Sequence, residues 1–183
     1  MHRFRPARRL VITAALLACG TGFVAAAELP ADVQAKVERA KKRLVEMAAD
    51  PVVIATVREA NTRDASGMNN GKWVDLPDSD PLVKAMLGGK ASQLIVKWEQ
   101  ADPTINKILL RDQKGNIVAG STKPLIYNNA TRPVFANALK GQPWAADEIK
   151  PDTTTQIPSV HVSAPVLDGG KPIGVIHAGL TAK

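Results

Sequence analysis

Two segments in the C-terminal half constrain the fold of this chain more than any others. Ile108–Ser121 (ILLRDQKGNIVAGS) carries two partly β-branched apolar runs on either side of Asp112–Gly115. Val160–Leu180 (VHVSAPVLDGGKPIGVIHAGL) repeats the plan around Asp168–Gly170. Short apolar runs joined by Asp- and Gly-containing turns are hairpin signals, so each segment is expected to form two antiparallel strands. Between the hairpins, residues 129–139 read as a helix ending at Gly141. Residues 144–150 read as one further strand, and 151–156 as a polar loop.

The preceding stretch is helical in pattern. Val33, Val37, Ala40, Leu44, Met47 and Ala48 recur at helical spacing, with charged residues between them. Asp50 followed by Pro51 is a helix-start signal, because aspartate caps and proline suits the first turn. The second helix is expected to run to about Arg63, with Val53, Ile54 and Val57 buried. Residues 64–71 (DASGMNNG) form a loop by composition. Short helices follow from Asp80-Pro81 to Gly88 and from Ser92 to Gln100. The fold expected is α+β, a five-stranded antiparallel sheet with the long N-terminal helices packed on one face.

Residues 1–27 read as a signal peptide. Four arginines and no acid accompany an apolar run from Leu10 to Ala18, and Ala25–Ala27 supply the small residues required for cleavage. Residues 28–183 then form the domain, exported to the periplasm. The run Leu16–Cys19 also resembles a lipoprotein box, which would anchor the chain through an acylated Cys19. Apolar residues continuing past Cys19 favour plain export.

Removing the leader changes the charge balance. The formal +7 of the whole chain falls to +3 for residues 28–183 (7 minus 4), an ordinary soluble surface. With one tyrosine and three tryptophans, nucleic-acid binding is not expected. The single cysteine lies in the leader, so the exported chain holds no disulfide and no thiolate site. Glycine-rich phosphate loops, G-x-S-x-G and H-E-x-x-H are absent from the sequence. The chain is therefore read as non-catalytic and without a cofactor.

The order of several short stretches resembles the Cache family of extracytoplasmic sensor domains, which are PAS-like modules. They are Asp50–Val57 (DPVVIATV) with Asn61 behind it, Leu110–Ser121, Asp152–Thr155 (DTTT), Val162–Asp168 and Ile173–Gly179. The resemblance implies a small-molecule pocket on one sheet face, roofed by the insert between the second and third strands. It implies a small polar metabolite as ligand (an amino acid, a carboxylate or an amine) and a membrane receptor or sensor kinase as partner. Relatives sit between two membrane helices. Here a cleavable leader and an end at Lys183 suggest a standalone periplasmic module. The alternative is a scaffold of the same fold with an occluded pocket, acting through its first helix.

Candidate ligand-binding residues follow from position. His161 and Ser163 alternate with Val160, Val162 and Ala164, so they share one strand face. Asp152, at the rim by resemblance, could pair with a ligand amine. Tyr127 and Trp144 flank the insert, each with an aromatic wall and a polar handle. Arg111 could hold a carboxylate bidentately, or could simply be a surface charge at a turn. His177 alternates with Ile173 and Val175 and reads as a buried histidine. With a two-residue turn at Gly169-Gly170, His161 and His177 would point to opposite faces, and only a bulge would unite them. No metal site is expected. Intact-mass measurement of the secreted protein is expected to give a chain beginning at Glu28, whereas a diacylglycerol adduct on Cys19 would show the lipoprotein route.

Overall fold

A computed structural model describes residues 28–65 and 67–182, so the expected signal peptide, Cys19 with it, and Lys183 lie outside the described residues. Two aspartates set the helical layer. Asp50 accepts the Val52 N–H at 2.8 Å ahead of α2 (Pro51–Thr62), and Asp80 accepts the Leu82 N–H at 2.8 Å ahead of α4 (Pro81–Gly88). In both, proline occupies the first turn, where its missing N–H costs nothing. The other helices here are α1 (Ala31–Ala48), α3 (Asn70–Asp75) and α5 (Lys90–Gln100). Sequence reading missed α3. Its start is made by Asn69, whose Oδ1 accepts the Lys72 N–H inside a stretch that looks like loop by composition.

The sheet comprises β1 (Ile105–Asp112), β2 (Ile117–Gly120), β3 (Trp144–Ala145), β4 (Lys150–Pro151), β5 (Pro158–Asp168) and β6 (Lys171–Thr181). All pairings are antiparallel, in the order β2-β1-β6-β5-β3, with β4 also on β5. The expected strand over 144–150 is thus two dipeptide strands, making six in place of five. The expected helix over 129–139 shrinks to α6 (Pro133–Ala136) and a 3-10 turn at Ala138–Lys140. Proline forces the preceding Arg132 into an extended conformation. Asn129 is also already engaged, its N–H donating to Gly115 O in the first hairpin.

Alternation along the strands divides the molecule. Ile108 and Leu110, Val160, Val162, Ala164 and Val166, and Ile176, Ala178 and Leu180 form one face. They pack against Val33, Val37, Leu44 and Met47 of α1, Val53 and Val57 of α2, and Ile95 of α5. At ~1.5–3 kcal/mol for each large apolar side chain withdrawn from water, this is the principal stabilising core. The opposite face is covered by the insert, where Phe135 and Ala138 meet Val175.

A bulge in the second hairpin decides what that opposite face displays. Gly169 and Gly170 both take positive φ, as a two-residue primed turn requires, and Asp168 pairs with Lys171. Leu167 faces Pro172, but Val166 faces Gly174, so Ile173 is the extra residue. The slip reverses side-chain phase along β6. Ser163 lies opposite His177 and His161 opposite Gly179, so both histidines share the insert face. The expectation that they diverge is corrected, as is the grouping of Ile173 with Val175 and His177. Ile173 packs with the helix-side core.

Two contacts hold the bulge. Asn61 of α2 donates through Nδ2 to Ile173 O at 2.8 Å and accepts the Gln113 N–H at 2.8 Å, joining both hairpins to one helix. Gly174 lets β6 approach: a Cβ there would lie 2.3 Å from Arg111 O and 2.7 Å from Val57 Cγ1. Gly174→Ala is therefore expected to destabilise the fold by about 1–3 kcal/mol, read as a lowered urea midpoint with unchanged m-value.

Candidate functional site

Period-2 alternation carries Lys107, Leu109 and Arg111 of β1 to the insert side of the sheet, beside His161 of β5 and His177 of β6. The insert completes a cavity of about 270 Å³ with Pro124, Ile126, Asn129, Arg132 and Val134 on one side. Trp144, Ala146, Glu148, Lys150, Thr153 and Thr154 form the other. This lies near the lower end of the ~300–1,000 Å³ typical of small-molecule sites.

Lys107 reaches from the cavity wall into a buried ion pair. Lys107 Nζ sits 2.6 Å from Asp152 Oδ1 and 2.5 Å from Oδ2, with side-chain exposures of 5% and 0%. Asp152 Oδ1 also accepts the N–H groups of Thr154 (2.8 Å) and Thr155 (2.9 Å), and Oδ2 lies 2.7 Å from His161 Nε2. Burial by itself would push the Asp152 carboxyl up. The contacts from His161 and Lys107 and the Thr155 N–H outweigh it and hold the group far below the usual carboxylate range. Lys107 is drawn down by burial, against the hydrogen bond and charge of Asp152. The carboxylate, with five donor contacts, keeps the pair ionised.

Arg111 is the second organising cation. It is 2% exposed and donates through Nη1 to Gly115 O (3.0 Å) and Tyr127 O (2.7 Å), and through Nη2 to Ile126 O (3.1 Å). Its Nε–H donates to His177 Nε2 at 3.0 Å. Burial pushes the guanidinium down to about 9, against the attraction of Asp112 and assisted by repulsion from Arg132, so it remains charged at neutral pH. His177 is pushed well below its ordinary value by burial, then by the charges of Arg111 and Lys107. It is therefore neutral. Because Nε2 accepts from an arginine that cannot accept in return, the ring proton resides on Nδ1.

Three buried polar atoms here have no hydrogen-bond partner among the described residues: Asn129 Oδ1, Ser163 Oγ and His177 Nδ1. Asn129 and His177 line the cavity, and Ser163 is the cross-strand neighbour of His177. A fixed N–H donor and an amide acceptor are thus left unsatisfied beside a concave space, a costly arrangement unless something enters to pair with them. Among the described residues, no three His, Cys, Asp or Glu side chains converge as metal ligands would.

Of the residues singled out in the sequence, Arg111, Trp144 and His161 line the cavity, and Asp152 lies enclosed beneath His161. Ser163 lies outside the lining, opposite His177 on the neighbouring strand. Tyr127 turns its ring away to pack on Trp73 at 5.4 Å, in a separate cluster with Met86 and Ile117, and only its carbonyl reaches the site, through Arg111. Arg111 is an interior cation, not the surface charge that a turn position suggests. Sequence reading did not single out Lys107, Asn129 or Arg132. The Lys107-Leu109-Arg111 alternation was a readable signal for the first; nothing local marks the other two.

Asp152→Asn is expected to cost about 3–5 kcal/mol, because it leaves the Lys107 charge buried without its counterion. The same linkage operates in the wild type. Asp152 is depressed in the folded state, so its stabilisation is complete above the unfolded carboxylate value of about 3.9 and is lost as pH falls below it. Denaturation midpoints between pH 7 and pH 2 are expected to show this acid-side loss, and to show less of it in the variant.

No family model and no curated protein matches the sequence. Several solved structures are similar. The sensor domain of the Vibrio cholerae histidine kinase DctB is 18% identical, with 82% of this chain and 57% of that one covered, at a TM-score of 0.44. The sensory domain of the Campylobacter jejuni chemoreceptor Tlp3, with isoleucine bound, is 15% identical over 83% and 64%, also at 0.44. The ligand-binding domain of the Pseudomonas fluorescens chemoreceptor CtaA, in complex with L-alanine, is 14% identical over 82% and 56%, at 0.38. The chain thus spans less than two-thirds of the length of these domains. All three are sensory or ligand-binding domains, one of a histidine kinase and two of chemoreceptors.

Proposed function

We propose that this chain is a non-catalytic, periplasmic sensor-type module that holds a small polar anion between its sheet and its insert. The observation that carries this reading is the charge of the cavity. Lys107 is neutralised by Asp152, and Lys150 lies 2.5 Å from Glu148 at the exposed rim. Among the described residues no carboxylate forms an ion pair with Arg111 or Arg132, which both line the cavity. A buried guanidinium with a spare N–H, a fixed His177 donor and a second arginine form a receptor for a carboxylate or a comparable anion.

Signalling would follow from position. The insert carries Asn129 and Arg132, so an anion drawing these groups toward β1 and β6 would favour one insert position over another. A membrane receptor or sensor kinase reading that position is the partner proposed.

The scaffold alternative needs an available apolar stripe on α1. Val33, Val37, Ala40, Leu44 and Met47 are instead buried against the sheet, which counts against it.

A thermal-shift screen of small carboxylates tests the reading. At a hundredfold excess over Kd a ligand contributes about 2.7 kcal/mol, or roughly 5–10 °C in Tm for a chain of this size. Arg132→Ala, at an exposed position, is expected to keep the fold and weaken binding at least about tenfold. Stabilisation by no anion in the set would overturn the proposal.

A further inference from the structure

We infer that the cavity selects organic anions that carry no ammonium group, and that Lys107 sets this selectivity by occupying Asp152. The inference rests on the proposed anion-binding role and narrows the ligand class within it.

An ammonium entering a buried site needs a carboxylate or several well-placed acceptors to replace its hydration. Asp152 lies enclosed beneath His161, against the cavity wall, and its capacity is already used. Both oxygens contact Lys107, Oδ1 takes two backbone N–H groups, and Oδ2 takes His161. A carboxylate offers about four lone-pair sites, and no surface of Asp152 remains accessible. Glu148, the other acid here, is exposed and tied to Lys150. An incoming ammonium would therefore meet Lys107, Arg111 and Arg132 with no free counter-charge.

The neutral complement of the site differs. Asn129 Oδ1 is a buried acceptor without a partner, suited to a hydroxyl, which needs no counter-charge. His177 Nδ1–H is a buried donor suited to a carboxylate or carbonyl oxygen. The ligand class that matches is a small carboxylate, plain or hydroxylated, in preference to the amino acid of the same skeleton.

Matched sets isolate the ammonium. Calorimetric titration of the protein with propionate, lactate and alanine, and with succinate, malate and aspartate, keeps the skeleton and changes one substituent. In every set that binds, the plain or hydroxylated acid is expected to bind at least about tenfold more tightly than the amino acid, since unfavourable like-charge contacts weaken binding. Lys107→Met is expected to free Asp152 and narrow that ratio by about tenfold or more, mainly by improving the amino acid. Lys107→Gln, which can still donate to Asp152, serves the same comparison if the methionine variant does not fold. An amino acid binding the wild type as tightly as its partners overturns the selectivity while leaving anion binding intact. A ratio unchanged in a folded Lys107 variant overturns the role of that residue. Binding of none of the six probes overturns the anion-binding reading, and this inference with it.

Discussion

The Lys107–Asp152 pair is the constraint around which the insert face is built. It joins β1 to the loop preceding β5, and the same carboxylate caps the Thr154 and Thr155 amides and anchors His161. Removing two charges from water is expensive, and only good geometry with further hydrogen bonds repays it. Asp152 meets that condition by taking every donor that reaches it. The consequence is chemical as well as structural, because a carboxylate so engaged cannot also serve a ligand. What stays available in the cavity is positive.

Register matters as much as charge. Had the second hairpin paired without slippage, His177 would face the helices and the insert side would lose its Nδ1 donor and its partner for Arg111. One extra residue at Ile173, held by Asn61 and accommodated beside Gly174, moves the histidine to the cavity. The bulge thus couples α2 to the composition of the site. The opposite face pays no penalty, since Ile176, Ala178 and Leu180 fall on the core side in the same register.

Much of the architecture was legible because it rests on periodicity and local chemistry. The α1 stripe, the two aspartate–proline helix starts and both hairpin turns follow from residues close together in the chain. The elements misread fail for local reasons too. Pro133 and the tethering of Asn129 cut the insert helix short, and Asn69 starts a helix within loop-like composition. The site was less legible. Arg111 sits at a turn, where a charge usually meets solvent, yet three carbonyls and His177 enclose it. Tyr127 lies beside the insert in sequence, but its ring has a better apolar partner in Trp73.

The sequence by itself determined an α+β fold, its antiparallel hairpins, the helical layer over one face and the lack of any cysteine after residue 19. Each of these depends on spacing, on turn residues or on composition. Only the tertiary structure decided that His161 and His177 share a face, that Asp152 is consumed by Lys107, and that Arg111 is an interior cation. Those outcomes depend on a one-residue slip and on contacts between residues 45 and 66 positions apart. Such contacts leave no periodic trace along the chain, because the partners meet only when the sheet has closed.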